Sequence, residues 1–114
     1  TAGPDAALLA LCADLQVAVA ECNAASHLCD VMLEAGDDAG SKRAWEAMDA
    51  ASDRANRLLE RITPVTPRTM PGLLAKAHAV RAIGPHFGTD SHRNIFEAAG
   101  DAIVADILRL GGVA

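Results

Sequence analysis

Aromatic residues are nearly absent from this chain, which has one Trp, two Phe and no Tyr although 51% of its residues are hydrophobic. Ala and Leu must therefore supply most of the packing. Because Ala favours helices and is depleted in strands, this composition excludes an aromatic-rich β-sandwich and favours closely packed helices. A length of 114 residues predicts a single domain, 1–114, with one hydrophobic core.

Excess positive charge is also lacking. The formal net charge of −5 gives the chain no overall attraction for nucleic acid or for an anionic membrane surface. No basic segment followed by an apolar run opens the sequence, and the apolar first helix carries Asp14, Glu21 and Asp30. We take these charges as too many for a membrane span and expect a soluble, cytoplasmic protein. The chain begins at Thr1 without a Met, which leaves open that preceding residues were removed.

What is present is a long apolar row with steps of three and four residues, the spacing of one helix face. Its members are Leu8, Cys12, Leu15, Val19, Cys22, Ser26, Cys29 and Leu33. This row predicts a first helix over residues 4–35. The three cysteines on it indicate buried thiols in a reducing compartment rather than a disulfide framework.

Three further helices follow from the same reasoning. We predict a second helix over 41–62 with Ser41 as N-cap, a third over 70–83 capped by Thr69, and a fourth over 91–110. Gly100, together with Ala98 and Ala99, is expected to permit a close helix crossing, with a kink as the alternative, and residues 84–90 are expected to form a loop. The apolar arc of the second helix consists of Trp45, Met48, Ser52, Ala55, Leu59 and Ile62. The expected inward residues of the third helix are Leu73, Leu74, Ala77, Val80 and Ile83, and those of the fourth are Phe96, Ala99, Ile103, Ile107 and Leu110.

The fold class is therefore all-α: a long antiparallel helical hairpin plus two shorter helices, in a four-helix-bundle-like arrangement. The two shorter helices start from the Ile62 end and are too short to cover the far end of the hairpin. There the sequence predicts a contact surface that includes Leu28, Met32, Trp45 and Met48. We expect this tip to form a two-fold dimer or to bind another protein. A monomeric mass by light scattering at micromolar concentration would contradict the dimer.

A basic row on the second helix supports an alternative function. Arg54, Arg57 and Arg61, extended by Arg68 and Lys76, could make a small regulatory or phage-associated protein that contacts nucleic acid. Neighbouring acids, among them Asp53 at the i,i+4 position from Arg57, neutralise much of this face, so the interaction module is favoured. Steep weakening of a complex between about 50 and 200 mM salt would favour nucleic acid instead.

No catalytic, metal-binding or cofactor-binding set stands out. The cysteines contain no C-x-x-C pair, and His78, His86 and His92 lie near a Gly-rich loop without ligands at suitable spacing. No nucleophile, base and orienting group occur together, so we predict a non-enzymatic protein with no bound cofactor or metal. A bundle that holds a small apolar ligand between its helices is a third, weaker interpretation.

Four segments resemble those of a known group of proteins: residues 8–13 (LLALCA), 58–62 (LLERI), 69–77 (TMPGLLAKA) and 106–108 (DIL). Together they are similar to small Ala- and Leu-rich helical proteins encoded in alphaproteobacterial genomes and their prophages. The group has no established activity, so the resemblance implies no functional residues here. It implies a bacterial, cytoplasmic protein of phage-related origin.

Overall fold

The computed structural model describes residues 3–83 and 90–111, with the side chains of 3–83 and 97–110. These residues form four helices and no strand: α1 (Ala6–Glu34), α2 (Asp38–Ile62), α3 (Met70–Ile83) and α4 (Asp90–Gly111). The all-helical class is confirmed. The third helix has the predicted bounds, whereas the other three differ from the prediction by one to three residues at their ends. Residues 84–89 of the predicted 84–90 loop, with His86, lie outside the described residues, and so does the side chain of His92. Asp90, the last residue of that predicted loop, already belongs to α4.

The turn between α1 and α2 is tighter than predicted. Gly36 adopts φ of 74°, a conformation that side chains with a Cβ disfavour, and its N–H donates to Leu33 O at 3.1 Å. Asp37 N–H donates to Met32 O at 2.9 Å, which completes a Schellman motif. The Asp37 carboxylate then accepts from Gly40 N–H at 2.8 Å. Asp37, not the predicted Ser41, is therefore the N-cap of α2, because an acceptor directly after the turn starts the helix sooner.

The buried core lies towards one end of the α1–α2 pair. Its α1 members do not extend beyond Val19, and its α2 members do not begin before Ala55. Residues of α3 and α4, including Val80 and Ala99, complete it. The molecule measures 60 × 34 × 16 Å and has a radius of gyration of 16.4 Å, against about 13 Å for a compact domain of this length. The elongated shape follows from a long helix pair that the described parts of α3 and α4 cover only in part.

We call residues 22–51, which form the far end of the pair, the distal segment. Here α2 buries small residues, Gly40, Ser41, Ala44 and Ala51, against α1. The small side chains take the contact with α1, and Trp45 lies 53% exposed, as expected for a residue at the uncovered tip. The prediction that Leu74 and Ile107 face inward was wrong, because both side chains are about half exposed. Phe96 lies outside the described side chains.

Asp5 fixes the start of the chain to the linker before α3. Its buried carboxylate accepts from the N–H groups of Arg68 and Thr69, each at 2.9 Å, and from the Thr69 hydroxyl. Gly72 leaves room for this contact, since a Cβ built there would lie 2.6 Å from Cγ of Asp5. The Thr69 hydroxyl and the Arg68 N–H, which bond to the carboxylate, hold the pKa of Asp5 below its ordinary value of 3.8.

Lys76 is the second buried polar connector. Its side chain is only 1% exposed, and Nζ donates to Thr63 O at 2.9 Å, Val65 O at 2.7 Å and the Asp106 carboxylate at 2.7 Å. Three acceptors match the three donors of an ammonium group. Arg109 donates to the other Asp106 oxygen at 2.7 Å. The ion pair therefore ties α4 to α3 and to the end of α2.

Gly100 does not mark a close helix crossing. No described atom lies within 4 Å of a Cβ built at this position. Of the three small residues expected at a crossing, Ala99 is fully buried in the core, Ala98 is exposed and Gly100 makes no close contact. Gly100 is only half-buried.

Candidate functional site

The predicted contact residues lie in or beside the distal segment, and each has an exposed or half-buried side chain. Trp45 and Leu28 are exposed, at 53% and 44%, while Met32 and Met48 are half-buried. Beneath them the Cys29 thiol lies 3.6 Å from the Ser41 hydroxyl and 3.7 Å from the Ser41 carbonyl oxygen. These contacts between small side chains hold α1 against α2. Trp45 and Leu28 are left exposed, whereas the Met32 side chain packs with its sulfur over Gly40.

Helix geometry divides these four residues between two sides of the α1–α2 pair. Trp45 and Arg54 are nine residues apart, which at about 100° per residue places them on opposite sides of α2. Arg54 donates to Glu21 across the two helices. Leu28, seven residues after Glu21, lies within about 20° of it on α1.

Two surfaces result rather than one. Leu28, with Met32 beside it, lies on the side of the Glu21–Arg54 ion pair. Trp45 lies on the other side, and Met48, about 60° around the helix, stays with it. We call Trp45 and Met48, with the exposed side chain of Leu33 near the end of α1, the Trp45 surface.

The basic row is shorter than the sequence predicted. Arg54, Arg57 and Arg61 are all exposed along one side of α2. Lys76 does not extend the row, because it is buried with Asp106 and two carbonyl oxygens. Arg54 is itself paired with Glu21 of α1. The row therefore already has an acidic neighbour within the chain.

An open groove lies between α1 and α2 beside the basic row. Its volume is about 380 Å³, and it is lined by Asp14, Val17, Arg54, Leu58 and Arg61. A second, smaller depression of about 240 Å³ is lined by Glu60, Thr63, Pro64 and Ala98. Neither is an enclosed cavity of the kind that holds a small apolar ligand.

The thiols and histidines form no metal centre in the described part of the chain, where no group of three potential ligands is present. Burial raises the pKa of the Cys12 thiol, an effect that the charge of Lys76 partly offsets, and burial likewise raises that of Cys22. Both thiols are therefore poor nucleophiles at neutral pH. His27 and His78 are exposed.

Helix α1 is apolar enough, by length and composition, to cross a membrane. An 18-residue window within it has a mean hydropathy of 1.4, and 33% of that window is buried in the fold. The charges of Asp14, Glu21 and Asp30 therefore do not exclude a span, contrary to our argument from the sequence, since such a window holds at most two charged residues. A core helix passes the same test, and α1 contributes Leu8, Leu15 and Val19 to the core.

Comparison with known proteins returned no matching family, no matching curated protein and no matching solved structure. The resemblance to small alphaproteobacterial and prophage proteins stays a prediction. Function has to be argued from the surfaces of this chain alone.

Proposed function

We propose that this chain is a non-enzymatic helical module for protein–protein interaction and oligomerisation. In this proposal α1 and α2 form an antiparallel hairpin, and α3 and α4 complete a four-helix-bundle-like fold over one end of it. The order of contacts supports the hairpin: Glu21 meets Arg54, and further along α1 Cys29 meets Ser41, which comes earlier in α2. A cytoplasmic location and a bacterial, phage-related origin belong to the same proposal.

The single observation that carries the proposal is the exposure of Trp45. Trp is large, mostly apolar and enriched among residues that dominate binding energy at interfaces. Here the only Trp of the chain is 53% exposed in the distal part of α2, where the buried residues are Gly40, Ser41, Ala44 and Ala51. Exposed apolar surface at one end of a small domain is typical of a docking site. We assign the Trp45 surface to a protein partner.

Capture from an extract of the native host tests this assignment. The intact chain serves as bait beside Trp45→Ala and a matched variant, Leu108→Ala, which removes an exposed apolar side chain on α4. We expect a defined protein to be retained by the intact chain and by Leu108→Ala, and to be lost with Trp45→Ala. Loss of an interface anchor costs about 2 kcal/mol or more, which is roughly a thirtyfold loss of affinity.

Two results would contradict the assignment. One is that no protein distinguishes the intact chain from Trp45→Ala. The other is retention of material that nuclease treatment or moderate salt releases, which would favour nucleic-acid binding through Arg54, Arg57 and Arg61. Enzymatic activity is not part of the proposal, since no nucleophile and base are paired in the described residues.

A further inference from the structure

Two exposed rows of side chains run along the side of the α1–α2 pair that carries the Glu21–Arg54 ion pair. On α1 the row steps by three and four residues and consists of Asp14, Val17, Glu21, Ala24, Leu28 and Val31. On α2 the corresponding row consists of Arg43, Ala47, Ala50, Arg54, Arg57 and Arg61. We call these two rows together the open face. Every member of it is exposed.

Both rows keep the seven-residue repeat that helices use to pack lengthwise against other helices. The α1 row combines apolar residues with two acids, whereas the α2 row combines alanines with four arginines. A helix that is apolar on its outer side as well as its inner side is normally buried. On this face Val17 and Leu28 depart most from that rule, because both are large apolar side chains that lie exposed, Val17 at 56%. The face therefore lacks a partner within the described chain.

We propose that the open face binds a second copy of this chain, with α1 of each copy lying over α2 of the other. The inference rests on the proposed function only in treating the chain as an interaction module, and it does not use the Trp45 surface. The dimer axis then runs parallel to the helices. The Trp45 surfaces of both copies stay on the outside, free for another protein.

Charge complementarity selects this partner and this arrangement. If α1 lay over α1, the arginine row of one copy would face the arginine row of the other, which is repulsive. With α1 over α2, the acids of each copy face the arginines of its partner. Because Glu21 already lies level with Arg54, and Asp14 level with Arg61 across the groove, the second copy brings its own Glu21 and Asp14 to the same two levels.

The size of the face also suits a dimer. Residues 14–31 of α1 cover about 25 Å, and two adjacent helices are about 20 Å wide, so each copy offers about 500 Å². About 1,000 Å² in total is the lower bound for a specific interface. The groove of about 380 Å³, with Leu58 and Val17 in its lining, gives apolar side chains of the second copy a place to pack. A micromolar dimer that weakens as salt rises is therefore expected.

Complementary charge reversals test the proposal. At the two levels where residues 14 and 21 lie across from residues 61 and 54, Asp14→Lys/Glu21→Lys makes both rows basic, and Arg54→Glu/Arg61→Glu makes both rows acidic. In sedimentation velocity at about 50 mM salt, we expect the wild-type chain to dimerise and each variant alone to have a dissociation constant raised about tenfold or more. An equimolar mixture of the two variants should regain a dimer. The ion pair within each chain stays broken in that mixture, so only contacts between chains can restore it.

Matched control variants distinguish an effect of the open face on dimerisation from an effect of the net charge. Asp49→Lys/Asp101→Lys and Lys42→Glu/Arg81→Glu change the net charge equally at exposed positions outside the open face. We expect both controls, and Trp45→Ala, to dimerise like wild type. Circular dichroism checks that every variant is folded. If the Trp45→Ala variant were monomeric, the dimer contact would lie on the Trp45 surface. That result would overturn the inference but would not contradict the proposed function.

Other results overturn the inference directly. They are a wild-type monomer at all concentrations up to about 100 µM, variants that dimerise as tightly as wild type, controls that weaken as much as the variants, or a mixture that stays monomeric. If each charge-reversal variant alone dimerised as tightly as wild type, the dimer would have α1 packed on α1, where like charges already face each other. A monomer that binds duplex DNA, and binds more tightly after Asp14→Lys/Glu21→Lys, would assign the arginines to nucleic acid.

Discussion

The two ends of the α1–α2 pair are packed by different kinds of side chain. At the end covered by α3 and α4, three charged groups, Asp5, Lys76 and Asp106, are buried, and each has hydrogen-bond partners. In the distal segment the described contacts are made by small side chains, and Trp45 is left in solvent. Buried charges are costly unless paired, so they fix one arrangement of the covered end. The open end leaves apolar side chains exposed, and these form the surface that we propose binds a partner.

The largest loss of stability is expected when the buried Lys76–Asp106 ion pair at the covered end is broken. Lys76→Met leaves the buried Asp106 with only the partly exposed Arg109 and should lower the free energy of unfolding by about 3–5 kcal/mol. The exposed Glu21–Arg54 pair is the contrast, and Arg54→Met should change the stability of the monomer by under about 1 kcal/mol.

Urea unfolding measures both values. The double variant Lys76→Met/Asp106→Leu, which removes both charges, should recover most of the loss. If Lys76→Met cost no more than Arg54→Met, the covered end would not depend on its buried ion pair.

Apolar truncation sharpens the same contrast. Leu59→Ala removes a fully buried side chain and should cost about 2–5 kcal/mol of folding free energy. Trp45→Ala removes a larger side chain but should cost about 0.5 kcal/mol, because Trp45 lies half in solvent. Thermal and urea unfolding of dilute protein give both values. Equal costs for the two substitutions would show that Trp45 is a core residue.

Two glycine substitutions, one in α3 and one in α4, should change the stability less, and their effects should have opposite signs. Gly72→Ala forces a Cβ against the Asp5 carboxylate and should destabilise by about 1–3 kcal/mol. Gly100→Ala meets no described atom within 4 Å and should stabilise α4 by up to about 1 kcal/mol. Melting temperatures measured under one condition suffice. A stabilising Gly72→Ala would refute the close approach of Asp5.

The smallest effect is the pH dependence that comes from Asp5. Its pKa is lower in the folded chain than its ordinary value of 3.8, so its contribution is present above that pH and is lost as pH falls through the folded pKa. The stability gap between wild type and Asp5→Asn should therefore narrow below about pH 4. Urea titrations from pH 6 to pH 3 measure this gap. A gap that widens towards acid pH would reverse the assigned sign.

Local sequence patterns predicted the positions of the helices well, but they predicted poorly which side chains contact other helices. The bounds of α3 followed from Thr69 and the prolines before it, and the side chain of Thr69 does accept from Gly72 N–H at 3.2 Å. The burial of Lys76 could not be predicted, because its three acceptors lie 11 to 30 residues away in the chain. Trp45 fits an apolar periodicity, yet the small residues Ser41 and Ala44 make the inner contact. Of the two rows of the open face, only the arginines of α2 were identified from the sequence. The α1 row was missed, because the Glu21–Arg54 contact that brings it to the same side is made between helices.

Quenching of the fluorescence of Trp45, the only Trp in the chain, tests the central claim most directly. If the distal segment is uncovered, iodide should quench the folded protein to at least half the extent seen in the urea-unfolded chain, at every concentration from monomer to dimer. A folded protein whose Trp fluorescence is blue-shifted and resists iodide at the lowest concentration would place Trp45 inside a single subunit. That result would contradict the account.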